Sequence, residues 1–294
     1  KGLRGYLCWV DGTEWSILGN TVANTTRQHV VRGNSTAINA VLIHDNDFSK
    51  EMQPDDPGET WKTTINFRSG NYVYISGNKL NDSTVSFTIG PNMTTDEDTN
   101  WIVLEDNDFR NTQLQFNETV HHVMVRNNYF DMSWGAQIVL MPGILSDAYG
   151  HLTDVTITGN TGVSTGTNGQ FLQVTGQMAP GTITLTQNLF IAPNLQLGWS
   201  SSAAVLVQAP DLSGFAQIAD NIWPAPVTTT QGVAGVVNYV AGYASPTNYL
   251  TPAQWDAQNG VDNDQFTNAA LSSGVYQLTI NGVTAGAAGL SLAA

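Results

Sequence analysis

Cysteine and long apolar runs are nearly missing from this chain. Its 294 residues include one cysteine, Cys8, so no disulfide can form within the chain and its redox compartment stays open. No apolar run approaches the ~18 residues that a membrane-spanning helix needs, which predicts no membrane span. The chain opens at Lys1 without a signal-like stretch, so we expect any targeting segment to be absent or already removed.

Positive charge is also scarce and stops early. Only 12% of the residues are charged, the formal net charge is −14, and all ten lysines and arginines lie at or before Arg126. Sixteen of the 24 acidic residues lie in the same first part. A nucleic acid partner needs a basic face, so this balance argues against one. Any site that handles anions is expected in the first half of the chain.

What the chain has in abundance is a repeated strand that ends in asparagine. Eight runs share an alternating apolar pattern, and they end at Asn20, Asn46, Asn78, Asn107, Asn128, Asn160, Asn188 and Asn221. The spacings between these asparagines range from 21 to 33 residues. Repetition at this period is typical of a solenoid whose coils differ by insertions.

Within each run, aliphatic residues alternate, as Val41 does with Ile43, and these residues are expected to face inward. The asparagine three residues later is expected at a turn, where its amide bonds to the equivalent amides above and below. Two residues further on, an apolar side chain returns to the core, namely Phe48, Leu80, Phe109, Phe130, Phe190 or Trp223. A second strand per coil lies between the runs.

This pattern predicts an all-β fold, a single right-handed parallel β-helix of about eight coils over residues 1–223, held by an Asn ladder. An antiparallel sandwich is the alternative, but a sandwich does not repeat one asparagine at one turn. Residues 224–294 are expected to form a linker or excursion followed by a C-terminal capping segment that covers the open end of the solenoid. The N-terminus shows no evident cap, so we also expect the chain to be part of a longer one or to form a homo-oligomer.

Two arginines depart from the repeated pattern. The repeated residues are interpreted as the scaffold and this departure as the candidate site. The runs QHVVRG and TINFRSG end in Arg32-Gly and Arg68-Ser-Gly. If they are the same strand in successive coils, Arg32 and Arg68 lie side by side on the outer face and bind an anion such as a carboxylate. The alternative is two solvated arginines that pair with nearby acids such as Asp45, Asp47 or Glu51.

The stretch 28–80 resembles the chondroitinase B and alginate lyase family of parallel β-helix polysaccharide lyases. The matching residues are Arg32, residues 39–48, Arg68 with Gly70, and Gly77 with Asn78. The resemblance implies that Arg68 stands at the catalytic arginine of the family and Arg32 at its catalytic lysine. Arginine rarely loses its proton, so the second match leaves the base of a β-elimination unassigned.

Lys62, His44 and His29 are the local alternatives for that base. His44 alternates outward and Lys62 lies six residues before Arg68, whereas His29 alternates inward and is interpreted as a buried, hydrogen-bonded histidine with a substrate-binding alternative. Trp61, Tyr72 and Tyr74 are candidates for stacking on sugar rings, and the loop 49–62 for one wall of a cleft.

No metal ligand set is predicted. Calcium is left open by two loop clusters, Asp55-Asp56 with Glu59 and Asp96-Glu97-Asp98, although neither has a recognisable ligand spacing. The functional hypothesis is an extracellular or cell-surface protein, favoured as a lyase on an acidic, uronic-acid-containing polysaccharide. The alternative is a non-catalytic surface, structural or glycan-binding β-helix, and a hydrolase or epimerase on the same scaffold is a third.

Overall fold

The structure is a computed structural model, and it describes residues 8–23, 29–33, 35–50, 63–82, 84–87, 99–117, 120–142, 152–176, 178–195, 203–208, 212–225, 234–238, 248–258 and 260–290. Three long sheets of parallel strands run side by side through these residues. Each turn of the chain gives one strand to each sheet. The molecule is therefore a parallel β-helix, as the repeats predict.

Sheet 1 contains Cys8–Val10, Val31–Gly33, Ile65–Phe67, Thr84–Phe87, Gln113–Asn117, Trp134–Met141, Asn168–Thr175, Val205–Gln208, Ala234–Asn238 and Asn248–Leu250. Sheet 2 contains Thr13–Leu18, Asn39–His44, Gly70–Ser76, Thr99–Glu105, Val120–Arg126, Thr153–Thr158, Ile183–Thr186, Phe215–Ala219 and Val261–Asp262. Sheet 3 contains Thr21–Ala23, Asp47–Lys50, Lys79–Asn81, Asp108–Arg110, Tyr129–Asp131, Thr161–Val163, Leu189–Ile191, Ile222–Trp223 and Gln265–Phe266. A hairpin of Gln277–Ile280 with Val283–Gly286 and one short helix, Pro252–Asp256, complete the described elements.

Each coil visits the sheets in the order 1, 2, 3. The pairing is parallel throughout sheets 2 and 3, and in sheet 1 only the last pair of described strands is antiparallel. Nothing in the described part of the chain forms a helix of the length and apolarity that a bilayer crossing requires.

The core is a stack of identical columns, because parallel pairing in register places the same strand position of every coil above the last. In sheet 2, one such column runs from Ile43 through Ile75, Leu104, Val125 and Ile157, and all of these are fully buried. In sheet 1, three phenylalanine rings of successive coils stack inside the helix, at Phe67, Phe87 and Phe116. The inward alternation predicted from the sequence is confirmed.

The asparagine ladder is present at every predicted step. In a typical step, the backbone N–H and the amide Nδ2 of Asn46 both donate to Asn78 Oδ1, at 3.0 and 2.9 Å. The same Nδ2 donates to the backbone carbonyls of Ile17 and His44. The side-chain bond repeats from Asn20 to Asn221 through all eight asparagines. Each amide thus ties its own coil to both neighbours.

A sharp turn precedes the ladder in every coil. The residue just before the ladder position has a left-handed backbone, with φ between 54° and 64°, in all nine coils: Gly19, Asp45, Gly77, Asp106, Asn127, Gly159, Gln187, Asp220 and Asn263. Glycine, asparagine and aspartate tolerate this conformation best, which explains why these residue types dominate the list. The acids beside the ladder are therefore turn residues, as their position predicts.

The β-helix continues beyond the predicted boundary at Trp223. A ninth coil adds strands to all three sheets, and Asp264 takes the ladder position after Asn221. Its Oδ1 accepts from the backbone N–H and amide of Asn221, and its Oδ2 accepts from the indole N–H groups of Trp223 and Trp255 at 2.7 and 2.9 Å. The boundary was missed because the last coil uses aspartate, not asparagine, at the ladder.

The C-terminal segment was predicted to cap the open end, and the structure shows part of it on the flank instead. The hairpin packs beside sheet 3, where Val283 and Ala285 join Leu189 and Ile222 in a small apolar cluster. The backbone N–H of Ala287 donates to Thr161 Oγ1 at 2.9 Å. The short helix does bury its Trp255 against the last coil, so capping falls to this helix.

Asp264→Asn tests the ladder end. An asparagine has one acceptor oxygen, so it can serve either the Asn221 donors or the two indoles, and one pair of buried donors stays unsatisfied. We expect a loss of about 2–4 kcal/mol in the free energy of unfolding, measured by urea denaturation. Asp262→Asn, two residues earlier on an exposed position, is the matched control and should change stability by less than about 0.5 kcal/mol. Equal effects for the two variants would show that Asp264 does not hold the last coil.

Candidate functional site

The two predicted arginines are not aligned at one strand position. In sheet 1, Arg32 lies in register with Trp9 on one side and with Asn66 on the other. Gly33 pairs with Phe67, so Arg68 comes after the paired part of its strand, and its backbone N–H donates to the Gly33 carbonyl at 3.0 Å. The prediction treated Arg-Gly and Arg-Ser-Gly as equivalent, and this alignment is wrong by two residues.

Arg32 is also not on an open outer surface. Arg32 is only 9% exposed, and its guanidinium carbon lies 5.5 Å from the centre of the Trp9 ring. Its neighbour Asn66 is buried as well. Arg32 is therefore a packed side chain of sheet 1. Arg68 is partly buried and lies in the turn that leads to strand Gly70–Ser76.

The two predicted histidines both make specific hydrogen bonds. His29 is partly buried and its Nδ1 donates to the Thr63 backbone carbonyl at 2.8 Å. His44 is about half exposed in sheet 2; its Nδ1 shares a 2.8 Å hydrogen bond with Ser76 Oγ, and its Nε2 lies 3.0 Å from Asp45 Oδ2. Both ring nitrogens of His44 therefore already have partners.

Several predicted residues fall outside the described ranges. These are Trp61, Lys62, the loop 51–62 and the two acidic clusters considered for calcium. Within the described ranges, no group of three or more histidine, cysteine or acidic side chains is arranged to hold a metal ion.

Tyr72 and Tyr74 do line a groove, on the outer face of sheet 2. The groove has a volume of about 370 Å³. Its lining residues are Tyr72, Val73, Tyr74, Trp101, Val103, His122, Val123, Met124, Asp154 and Thr156. They come from four successive coils, so the groove runs along the axis of the β-helix.

One side of the groove is a wall that we call the bulge column. It consists of one residue per coil, each squeezed between two paired positions of sheet 2, and its members are Glu14, Ala40, Tyr72, Trp101, His122 and Asp154. All six have a left-handed backbone, with φ between 53° and 60°. Bulky residues adopt this conformation at a cost of roughly 1–2 kcal/mol each. Both paired strands carry one such residue, so the pairing resumes without a change of register on its far side.

Three rings of the bulge column form a continuous stack. The Tyr72 and Trp101 ring centres lie 6.3 Å apart with an angle of 6° between the planes, and those of Trp101 and His122 lie 4.1 Å apart at 12°. His122 Nδ1 donates to Asp154 Oδ2 at 2.7 Å. Tyr72 and Trp101 remain 58% and 50% exposed, so the stack stands open to solvent.

The floor of the groove comes from the outward positions of the same strands. Tyr74, Val103, Met124 and Thr156 lie in register across four coils. Beyond the floor, Arg126 and Glu105 are also in register and form an ion pair through Arg126 Nε and Glu105 Oε2. The groove thus has an apolar floor between a ring wall and a paired charge.

Sequence reasoning found Tyr72 and Tyr74 but missed Trp101, His122 and Asp154. The predicted site was based on the positions of the cations, and the outward-facing positions of successive coils were not compared. A signal was available, because every member of the bulge column lies six residues before a ladder asparagine. Aligning the coils on the ladder therefore places Tyr, Trp, His and Asp at one position of four consecutive coils.

Comparisons of this chain with protein-family models, with curated proteins and with solved structures find no match. The likeness of residues 28–80 to the chondroitinase B and alginate lyase family therefore stays a prediction, and the arrangement of the groove is the basis for a functional proposal.

Proposed function

We propose that this protein binds a polysaccharide in the groove on sheet 2. The observation that carries the proposal is the ring stack of Tyr72, Trp101 and His122 beside an apolar floor. Sugar rings present C–H groups on their faces and hydroxyls at their edges. Such ligands suit concave sites with aromatic side chains and a few polar groups.

The backbone of the bulge column supports a functional role for these side chains. A tyrosine, a tryptophan and a histidine occupy left-handed positions where glycine or asparagine would be less strained. Strained positions cluster at functional sites, and in these three coils they hold the rings that line the groove. Large exposed aromatic side chains that lie together also mark interaction surfaces. A polysaccharide ligand agrees with the expected place of the protein outside the cell or on its surface.

Trp101→Ala tests the proposal, with Trp134→Ala as its matched control. Both tryptophans are exposed, but Trp134 lies in sheet 1, away from the groove. Removing a central aromatic contact should weaken glycan binding about tenfold or more, whereas Trp134→Ala should leave the affinity unchanged. Affinity electrophoresis or calorimetry with a panel of polysaccharides measures both. A wild-type protein that binds no member of a broad panel would contradict the proposal.

Trp101→Asn separates binding from stability. Asparagine tolerates the left-handed backbone, so the variant relieves about 1–2 kcal/mol of strain, and it loses ring contacts of about 0.5–1.5 kcal/mol per pair. These terms offset each other, and we expect a melting temperature within a few degrees of wild type together with lost binding. A large fall in melting temperature with retained binding would assign Trp101 a structural role.

A lyase acting on an acidic polysaccharide is the second candidate, and the His122–Asp154 pair favours it. A carboxylate that accepts from Nδ1–H holds the imidazole in the tautomer whose Nε2 is free to take a proton. In a β-elimination, Nε2 would take the C5 proton of a uronic acid, and the C–H electrons would form the C4=C5 double bond. The bond from C4 to the glycosidic oxygen would break with its electron pair on that oxygen, which would take a proton from solvent to leave as a hydroxyl. Arg68, in the turn before strand Gly70–Ser76, is the predicted cation nearest in sequence to Tyr72.

The lyase candidate predicts unsaturated uronyl products, detected by ultraviolet absorbance on alginate, pectate, chondroitin or heparin-type chains. His122→Ala should abolish the rate if His122 is the base, while Lys62→Ala or His44→Ala should abolish it if one of the two bases favoured from the sequence acts. Unchanged polymer length on all four substrates would contradict lyase activity and leave polysaccharide binding as the only proposed function.

A further inference from the structure

The charges around the groove bear on which polysaccharide it takes. Among the described residues that line the groove, Asp154 brings the only carboxylate and His122 the only imidazole, and they are bonded to each other. Arg126, which lies beyond the floor, is paired with Glu105. A polyuronate would therefore bring a carboxylate per sugar towards Asp154, in a protein whose formal net charge is −14.

The polar atoms at the rim match hydroxyl groups better than carboxylates. In its neutral form, a His122 ring whose Nδ1 donates to Asp154 presents Nε2 as an acceptor, and the second carboxylate oxygen of Asp154 is also an acceptor. Sugar hydroxyls can donate to both atoms. An ionised uronate has no proton on its carboxylate to donate, so that group would be desolvated beside an acceptor without a partner.

The direction of the groove gives the orientation of the chain. Neighbouring coils are about 4.8 Å apart, which is close to the length of one sugar residue in an extended polysaccharide. The bulge column adds one side chain per coil from Ala40 to Asp154. Ala40 carries only a methyl group, so the face of the Tyr72 ring that points away from Trp101 borders on a small side chain and offers a platform for a terminal sugar.

We infer that the groove binds an uncharged sugar chain that runs along the β-helix axis, with about one sugar per coil over about five coils. This inference rests on the proposed function and specifies its ligand class. It also replaces the acidic polysaccharide expected from the sequence with a neutral one, because Asp154 is the only formally charged side chain among the described residues that line the groove.

The test uses the full chain and calorimetric titration with two series of oligosaccharides, from disaccharide to hexasaccharide. The neutral series consists of β-1,4-linked glucose and N-acetylglucosamine oligomers, and the acidic series of oligogalacturonates and oligomannuronates. Affinity for a neutral series should rise with length and level off near the pentasaccharide. Acidic oligomers of equal length should bind at least about tenfold more weakly at low salt.

Asp154→Asn examines the charge directly. The amide oxygen can still accept from His122, while the negative charge is gone, so the gap between neutral and acidic oligomers should narrow several-fold. Asp262→Asn removes one exposed carboxylate from the last coil of sheet 2 and should leave the gap unchanged.

The outcomes distinguish a failure of the neutral-ligand inference from a failure of the proposed function. Binding of acidic oligomers only, lost in Trp101→Ala, would overturn the neutral-ligand inference and leave the proposed function intact. Binding of neutral oligomers that ignores Trp101→Ala would place the site elsewhere and overturn the inference. Binding of neither series by the wild-type chain, together with no retention on the broader polysaccharide panel, would overturn the proposed function itself.

Discussion

The side-chain amide of asparagine, buried at one turn of every coil, is the interaction on which this fold depends. A slip of one parallel strand by two residues keeps its aliphatic side chains facing inward, so the alternating pattern alone leaves this slip open. Each ladder asparagine prevents such a slip, because its Oδ1 and Nδ2 reach fixed partners in the coils on either side. A buried amide without these partners costs about 1–3 kcal/mol, so register errors are penalised at every coil.

Fixed register has a consequence on the outer surface. A residue at a constant distance from the ladder recurs at one place of sheet 2, and here that place is a bulge with a left-handed backbone. Tyr72, Trp101 and His122 therefore stack although they are far apart in the sequence, because each lies at the same distance from its ladder asparagine. The core side of the same strands carries Val73, Ile102 and Val123, so the scaffold and the groove use alternate positions of one repeat. Rigid strands, rather than a loop, hold the rings.

The arginine pair illustrates the limit of reading motifs without register. Arg32 and Arg68 stand before similar glycine-containing turns, and the two runs look equivalent as letters. Their strands, however, are aligned by the core residues Val31 with Ile65 and by Gly33 with Phe67, and the glycine leaves room that the Phe67 ring occupies. Core packing thus places the neutral Asn66, and not Arg68, beside Arg32. Arg68 lies two positions further along, so the predicted position holds one arginine instead of two.

By itself, the sequence determined the parallel β-helix, the inward residues of the repeated strand and every step of the ladder among the eight asparagines, since these follow from periodic patterns that the coils repeat. It also marked Tyr72 and Tyr74 as exposed aromatic residues near a binding surface. Only the tertiary structure decided that Trp101, His122 and Asp154 join them, that Asp264 ends the ladder in a ninth coil, and that Arg32 and Arg68 are offset by two strand positions. The physical reason is that contacts between coils join residues 20 to 40 positions apart, and the insertions between coils hide these contacts until hydrogen bonds and core packing set the register.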